Sequence, residues 1–336
     1  MSDRVLEVSG LSAVFATREG TAAALRDVSF SLEAGQRLAV VGESGCGKST
    51  LALALLGLLD PPGQMIGGLI RLNGRDIANL PERQMKAIRG REISLIFQDP
   101  MGSLDPIKTI GSQLVDALRR HQPGLARRAA RRRAVELLGE VEIADAERRL
   151  GDYPHHYSGG MRQRVMIAIA IANNPSVLVA DEPTTALDVT VQAQILKLFE
   201  RLVDRRRIAL LLITHNLSLV ADFCESVHVM YAGRFVECGS VDAVFNRPAH
   251  PYTEALLKSI PDPERRKGRL PTIAGLPPDL RRLPKGCAFE PRCPLGNGRQ
   301  ICVSVAPRRQ RVGGRGEDAS AECHFAAEKM TAGVVS

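Results

Sequence analysis

The sequence predicts an open α/β sheet with its functional residues along one edge, and three observations carry that prediction. An apolar run, Arg37-Leu-Ala-Val-Val41, feeds a glycine-rich turn and then good helix formers, Leu51-Ala-Leu-Ala-Leu-Leu56. Three further apolar runs, beginning at Ile93, Val177 and Ile208, end on Gln98, on Asp181-Glu182 and on Thr214-His215. Helical patterns separate these runs. That alternation is expected of a sheet whose chemistry sits at the C-terminal ends of its strands.

Composition sets the outer bounds. A chain of 336 residues is long enough for a full core and suggests about two domains. Hydrophobic residues at 44% and charged residues at 24% are ordinary for a globular protein. No apolar stretch approaches the ~18 residues of a membrane span, and Met-Ser-Asp-Arg-Val-Leu-Glu lacks the apolar region of a secretory signal. The expectation is a cytosolic chain. Its net charge of +8 is concentrated in Arg127–Arg133 and the tail, which reads as a solvated surface. With no tryptophan and few aromatics, a base-stacking surface has little support, so no nucleic-acid partner is expected.

Taken in order, residues 4–40 alternate apolar and polar in short runs, which predicts antiparallel strands at the edge of the core. Phe15 falls on a turn-rich stretch, where a half-buried strand aromatic is its simplest reading. Next comes Gly42-Glu-Ser-Gly-Cys-Gly-Lys-Ser-Thr50, which fits the phosphate-loop pattern G-x-x-x-x-G-K-[ST]. Its glycines let backbone N–H groups curl around an anion, and the following helix adds its positive end. Gly42, Ser44, Gly45, Cys46, Gly47, Lys48, Ser49 and Thr50 are therefore candidate nucleotide contacts. Lys48 would reach the β- and γ-phosphates, and the Ser49 hydroxyl would ligate Mg²⁺.

Gly67–Gly74 reads as a hairpin arm ending in Asn-Gly. From about 100 to 155 the pattern is helical and rich in Arg and Ala, and a contact with phospholipid headgroups is a secondary reading of its arginine run. Tyr157-Ser-Gly-Gly-Met-Arg-Gln-Arg164 then opens a helix expected over Val165–Ala172, with Ser158 as its cap. Asp181 closes the next strand as a candidate Mg²⁺ ligand, and Glu182 is placed to orient or deprotonate an attacking water. A helix is expected over Gln192–Asp204 and a last strand over Ile208–Ile213. His215, which alone would read as structural, gains weight from its place on this edge.

These segments together resemble the ATP-binding subunit of an ABC transporter. The order is Walker A loop 42–49, Q-loop Gln98, signature Ser158-Gly-Gly-Met161, Walker B 177–182, D-loop Ala186-Leu-Asp188 and switch His215. The resemblance implies a P-loop NTPase core with an antiparallel β edge and a helical subdomain at about 100–155. It also implies head-to-tail pairing with a second such subunit, so that Ser158, Gly159 and Gly160 bind the γ-phosphate of the partner's ATP. In that reading Glu182 polarises the water, His215 supports the γ-phosphate, Gln98 touches Mg²⁺, Asp188 belongs to the nucleotide site and Phe15 stacks on adenine.

Phe97-Gln-Asp-Pro-Met-Gly-Ser-Leu-Asp-Pro106, Asp181-Glu-Pro-Thr-Thr-Ala-Leu-Asp-Val-Thr190 and His250-Pro-Tyr-Thr-Glu-Ala-Leu-Leu257 are similar to segments of oligopeptide and dipeptide importers. That likeness implies peptide uptake, with two membrane permease subunits and an extracytoplasmic substrate-binding protein as partners. It also implies a peripheral position on the cytoplasmic face of the inner membrane. Nickel, glutathione or opine-type cargo and, in another class, a non-transport ABC ATPase are the alternatives. The latter would carry a long coiled coil, a second cassette or a zinc hook. Asn216 after the switch His and Asp105 before Pro106 depart from the family's usual Asp and Asn.

Residues 1–260 are thus expected to form the nucleotide-binding domain and 261–336 a small extension rich in Pro, Gly and Arg. That extension holds Cys287, Cys293, Cys302 and Cys323, enough for one tetrahedral metal set. Their spacing lacks the close knuckles of zinc sites, while Cys293-Pro294 is similar to the Cys-Pro of ferredoxin-like loops. Four unlinked thiols are the plain alternative. Members of the peptide-importer family carry a [4Fe-4S] cluster here, so the resemblance implies a cluster, with zinc as its rival.

Overall fold

The computed structural model describes residues 3–185, 187–260, 272–313 and 319–328. Chain contacts divide it into two units. One comprises Met1–Glu7, Ser31–Gln36 and Arg71–Leu212; the other comprises Val8–Phe30, Arg37–Ile70 and Ile213–Ser336.

In the first unit the strand Ile93–Ile96 runs parallel to Val177–Asp181, with Ile93 opposite Val177 and Ile96 opposite Ala180. The opening residues of Ala209–Thr214 lie beside Val177–Asp181. All five residues of Val177–Asp181 are buried, which explains why the run is apolar without alternation. The helical stretch expected at 100–155 contains the helices Ile110–His121 and Arg127–Glu140 and the short turns Ala146–Arg149 and Pro154–His156. Arg127–Glu140 buries Ala130, Ala134, Leu137 and Leu138, one face at helical spacing. Its arginines 127, 128, 131 and 132 are exposed, and Arg133 pairs with Glu136 and Glu140. Arg164, nearly buried on the helix Gly159–Ile171, donates to Val141 O at 2.9 Å, pairs with Glu142 and reaches Gln194 Oε1 on the helix Val189–Arg206. One guanidinium thus ties three segments together.

In the second unit Arg37–Val41 runs parallel to Ser226–Tyr231, which pairs antiparallel with Arg234–Ser240. The hairpin turn between the latter two has positive φ at Ala232 and Gly233. The C-terminal segment extends this sheet: Ser320–Ala321 pairs with Cys238 and Glu237, and Gln310–Arg311 pairs with Ser320–Ala321. The long strands Arg4–Thr17 and Gly20–Glu33 place residues 8–17 and 20–30 in this unit, beside residues 63–70 of Gly63–Leu72.

The turn-rich stretch around Phe15 is the strand Arg4–Thr17, and Phe15 is the half-buried strand aromatic expected there. The signature helix begins at Gly159 because Ser158 caps the chain immediately before it, the cap expected from the sequence. The later helix begins at Val189 instead of Gln192 for the same reason, with Asp188 as its cap. The Asn73-Gly74 turn is as expected, with both residues at positive φ between the antiparallel strands Gly63–Leu72 and Arg75–Asp76. Ala186 of the D-loop and the expected boundary at Pro261 lie outside the described residues. The described tail belongs to the second unit. Among the described residues no helix is long and apolar enough to cross a membrane.

Candidate nucleotide site

The buried strand Arg37–Val41 delivers Gly42 to the glycine turn, and the helix Lys48–Leu55 leaves it behind Gly47, whose φ is 114°. Space as well as conformation demands glycine here. A Cβ on Gly42 would stand 2.2 Å from Met230 O, and one on Gly47 would stand 2.4 Å from Ala24 O. The Lys48 ammonium is nearly buried and donates to Gly42 O at 2.7 Å and Glu43 O at 3.0 Å. Its charge is therefore held against the turn by the turn's own carbonyls. Ser44, Gly45 and Ser49 are exposed, Thr50 is half-buried and Cys46 is buried. Burial pushes the Cys46 thiol up despite the nearby Lys48. A glycine cradle with a fixed ammonium and an exposed hydroxyl on the first helical turn fits a nucleotide phosphate group.

In the first unit the parallel register explains why two functional side chains meet. Ile96 is opposite Ala180, so Gln98 and Glu182 stand two residues beyond paired positions on neighbouring strands. Gln98 Nε2 donates to Glu182 Oε2 at 2.9 Å, and Thr185 Oγ1 donates to the same oxygen at 2.9 Å. Glu182 has φ of 47°, a left-handed conformation that turns the chain sharply at the strand end. Asp181 is buried directly before it. Two acids, one buried and one half-buried, beside an amide are a donor set suited to a hard cation and an attacking water. Thr185 was not picked out from the sequence. Only its position three residues after Glu182 could have suggested it.

The signature serine caps its helix by accepting from Met161 N at 3.4 Å. A Cβ on Gly160 would meet Val191 Cγ1 at 2.6 Å, so this glycine lets two helices approach. Gly159 is exposed. Asp188 accepts from Val191 N at 2.9 Å as the cap of Val189–Arg206. In the second unit His215 is exposed at the end of Ala209–Thr214. The unusual Asn216 keeps a capping role, accepting from Ser218 N and Leu219 N. Phe15 is half-buried with its ring against Gly63, where a Cβ would fall 2.6 Å from Cε1.

Of the tail cysteines, Cys293, Cys302 and Cys323 are buried and Cys287 is half-buried. Gly296 sits between two of them: its N–H donates to Cys293 Sγ at 3.2 Å, and a Cβ there would stand 3.0 Å from Cys302 Sγ. Burial, and then the neighbouring thiols of Cys302, Cys323 and Cys293, push Cys287 up to about 12. The four thiols gather, yet no group of three or more His, Cys, Asp or Glu among the described residues is placed to hold a metal.

Comparison with known proteins places these features in a family. An ABC transporter family model matches residues 25–185, and a model of the oligopeptide/dipeptide transporter C-terminal region matches residues 236–302. The chain is 48% identical to the oligopeptide transport ATP-binding protein OppD of Salmonella typhimurium over 303 residues, 90% of this chain and 89% of that one. It is 49% identical to the dipeptide transport ATP-binding protein DppD of Lactococcus lactis over 290 residues, 86% of this chain and 83% of that one. Among solved structures, a dimeric post-hydrolysis state of the ATP-binding cassette MJ0796 bound to ADP and Pi aligns with a TM-score of 0.63. The identity is 25%, over 70% of this chain and 98% of that one.

Proposed function

The chain belongs to the oligopeptide/dipeptide branch of the ATP-binding subunits of ABC transporters, and from that premise we propose that it hydrolyses MgATP to drive uptake of di- and oligopeptides through a membrane permease. The reach of the match carries this reading. It runs through the nucleotide motifs and on into the C-terminal region of peptide transporters. The partners are a second ATP-binding subunit, identical or related, two permease subunits and an extracytoplasmic substrate-binding protein. Phe97 and Ile107, large apolar side chains 44% and 83% exposed, support a protein contact beside the helical stretch. The subunit works on the cytoplasmic face of the membrane as a peripheral component.

Hydrolysis is in-line attack of water on the γ-phosphorus, with the bond to ADP breaking and inorganic phosphate leaving. Glu182 orients the water and takes its proton, while Gln98 and Thr185 hold the carboxylate in position. Lys48 and the glycine turn neutralise phosphate charge, and most of the rate enhancement is positioning. Ser49, Asp181 and Gln98 are the donors for Mg²⁺, which supplies further charge neutralisation when bound. His215 supports the γ-phosphate and Phe15 stacks on adenine. Ser158, Gly159, Gly160 and Asp188 serve the nucleotide bound by the second subunit. Growth of the source cells on a peptide as sole supply of a required amino acid tests the cargo. Glu182→Gln should abolish that growth; growth and peptide uptake untouched by the variant would remove peptides as cargo.

A narrower reading concerns the tail, where the gathered thiols support a [4Fe-4S] cluster with zinc as its rival. Binding requires the thiols to lose their protons and close to bonding distance. Anaerobically purified chain should carry about four irons for a Cys₄ cluster, and lose them in Cys302→Ser. Stoichiometric zinc without iron, or neither metal, would exclude the cluster.

A further inference from the structure

The second unit contains a contact that neither the motifs nor the family comparison assigns. Glu43 occupies a variable position of the phosphate loop, immediately after Gly42, and each of its polar groups is held. Its N–H donates to the Tyr252 hydroxyl at 2.8 Å. Its carbonyl accepts from Lys48 Nζ at 3.0 Å. Its carboxylate receives a two-pronged grip from Arg292, with Nη1 to Oε2 at 2.7 Å and Nη2 to Oε1 at 2.9 Å.

Arg292 is built for that grip. It lies in the short turn Glu290–Arg292, directly before Cys293. Its Nε donates to Ala274 O at 2.8 Å, and Nη1 also reaches the Tyr231 hydroxyl at 3.3 Å. The guanidinium lies 5.8 Å from the Tyr231 ring centre and 6.0 Å from that of Phe289. Its side chain is only 5% exposed, against 24% for Glu43. Tyr252 is fixed from the other side. The fully buried Glu237 accepts from Ala249 N at 2.7 Å and His250 N at 2.9 Å, anchoring the start of the helix Pro251–Lys258 that carries Tyr252.

We infer that Arg292 is a positioning residue of the nucleotide site, making the C-terminal region part of that site within one chain. Arg292 orients Glu43, and the Glu43 carbonyl holds Lys48, the group that meets the phosphates. A loop already shaped for its ligand loses less freedom on binding, so the clamp acts on ATP affinity. A contact that merely docked the tail would change the chain's stability and leave nucleotide affinity alone.

MgATP titrated calorimetrically onto the full chain tests this. Arg292→Ala should raise the Kd for ATP about tenfold, the scale on which partners that orient ligand-binding groups act. In the assembled transporter KM should rise and kcat change little. Arg292→Lys, with a single bond in place of the fork, should fall between the two. The exchanged pair Glu43→Arg/Arg292→Glu should recover part of the loss. Glu43→Ala/Arg292→Ala should be no worse than the weaker-binding single variant, because both break one linkage. Should Arg292→Ala fail to fold, Glu43→Gln decides, since it weakens the fork without emptying the loop and should raise the Kd several-fold. An unchanged Kd in a folded Arg292→Ala chain, or in Glu43→Gln, overturns the inference. Additive losses in the double variant would overturn it equally.

Discussion

Glu182 receives two hydrogen bonds on one carboxylate oxygen, from an amide on a neighbouring strand end and from a hydroxyl three residues on. That geometry orients the carboxylate, as a proton acceptor for water needs. Glu182→Gln keeps the shape and removes the basicity. It should therefore bind ATP while turning it over at least ~10²-fold more slowly, a usual loss for a general base. Lys48→Ala should instead weaken binding itself. Single-turnover hydrolysis beside equilibrium ATP binding, in the assembled transporter, separates the two; normal turnover by the Glu182 variant would remove it from the role. His228 offers a residue-scale test of the core. Burial among Phe30 and Phe235, with Arg309 adding to the effect, pushes this imidazole down to about 3. The unfolded chain therefore takes up a proton below about pH 6.5 that the folded chain refuses until about 3. Stability should fall as pH drops through that window, and the urea midpoint of His228→Phe should fall less steeply than that of the unaltered chain.

At the scale of elements, what could be read from the sequence was what local pattern encodes. Val177–Asp181 and Ile93–Ile96 are short and buried, so their continuous apolar runs identified them and the polar residues that follow. The start of Val189–Arg206 is less legible than its interior because the β-branched run Val189-Thr-Val191, made of weaker helix formers, follows its cap Asp188. Phe15 is legible as a half-buried strand aromatic although Gly10, Ser12, Thr17 and Gly20 surround it with turn formers. The tail strands Gln310–Arg311 and Ser320–Ala321 are two residues each, too short for a period, and Ser320–Ala321 joins the sheet through a strand some eighty residues earlier. The fork between Arg292 and Glu43 joins residues 249 apart in the chain. No spacing rule reaches that far. For the candidate site, the motifs supplied its members and the register of the parallel strands supplied the meeting of Gln98 and Glu182.

For the molecule as a whole, the phosphate loop and His215 lie in one unit, while Gln98, Ser158, Asp181, Glu182 and Asp188 lie in the other. The signature residues Ser158 and Gly159 are exposed, free to meet a second subunit. In the proposed mechanism ATP is held between two such subunits, each supplying its own phosphate loop and the other's signature. Hydrolysis would dissolve that pairing, so the slow Glu182→Gln form is the one to observe. Its sedimentation with and without saturating MgATP, alone or mixed with any related ATP-binding subunit of the same transporter, is the direct measurement. MgATP should convert the 36.4 kDa chain into a dimer, and ADP should not. A chain that binds MgATP fully yet sediments at its single-chain mass under every mixture would contradict it.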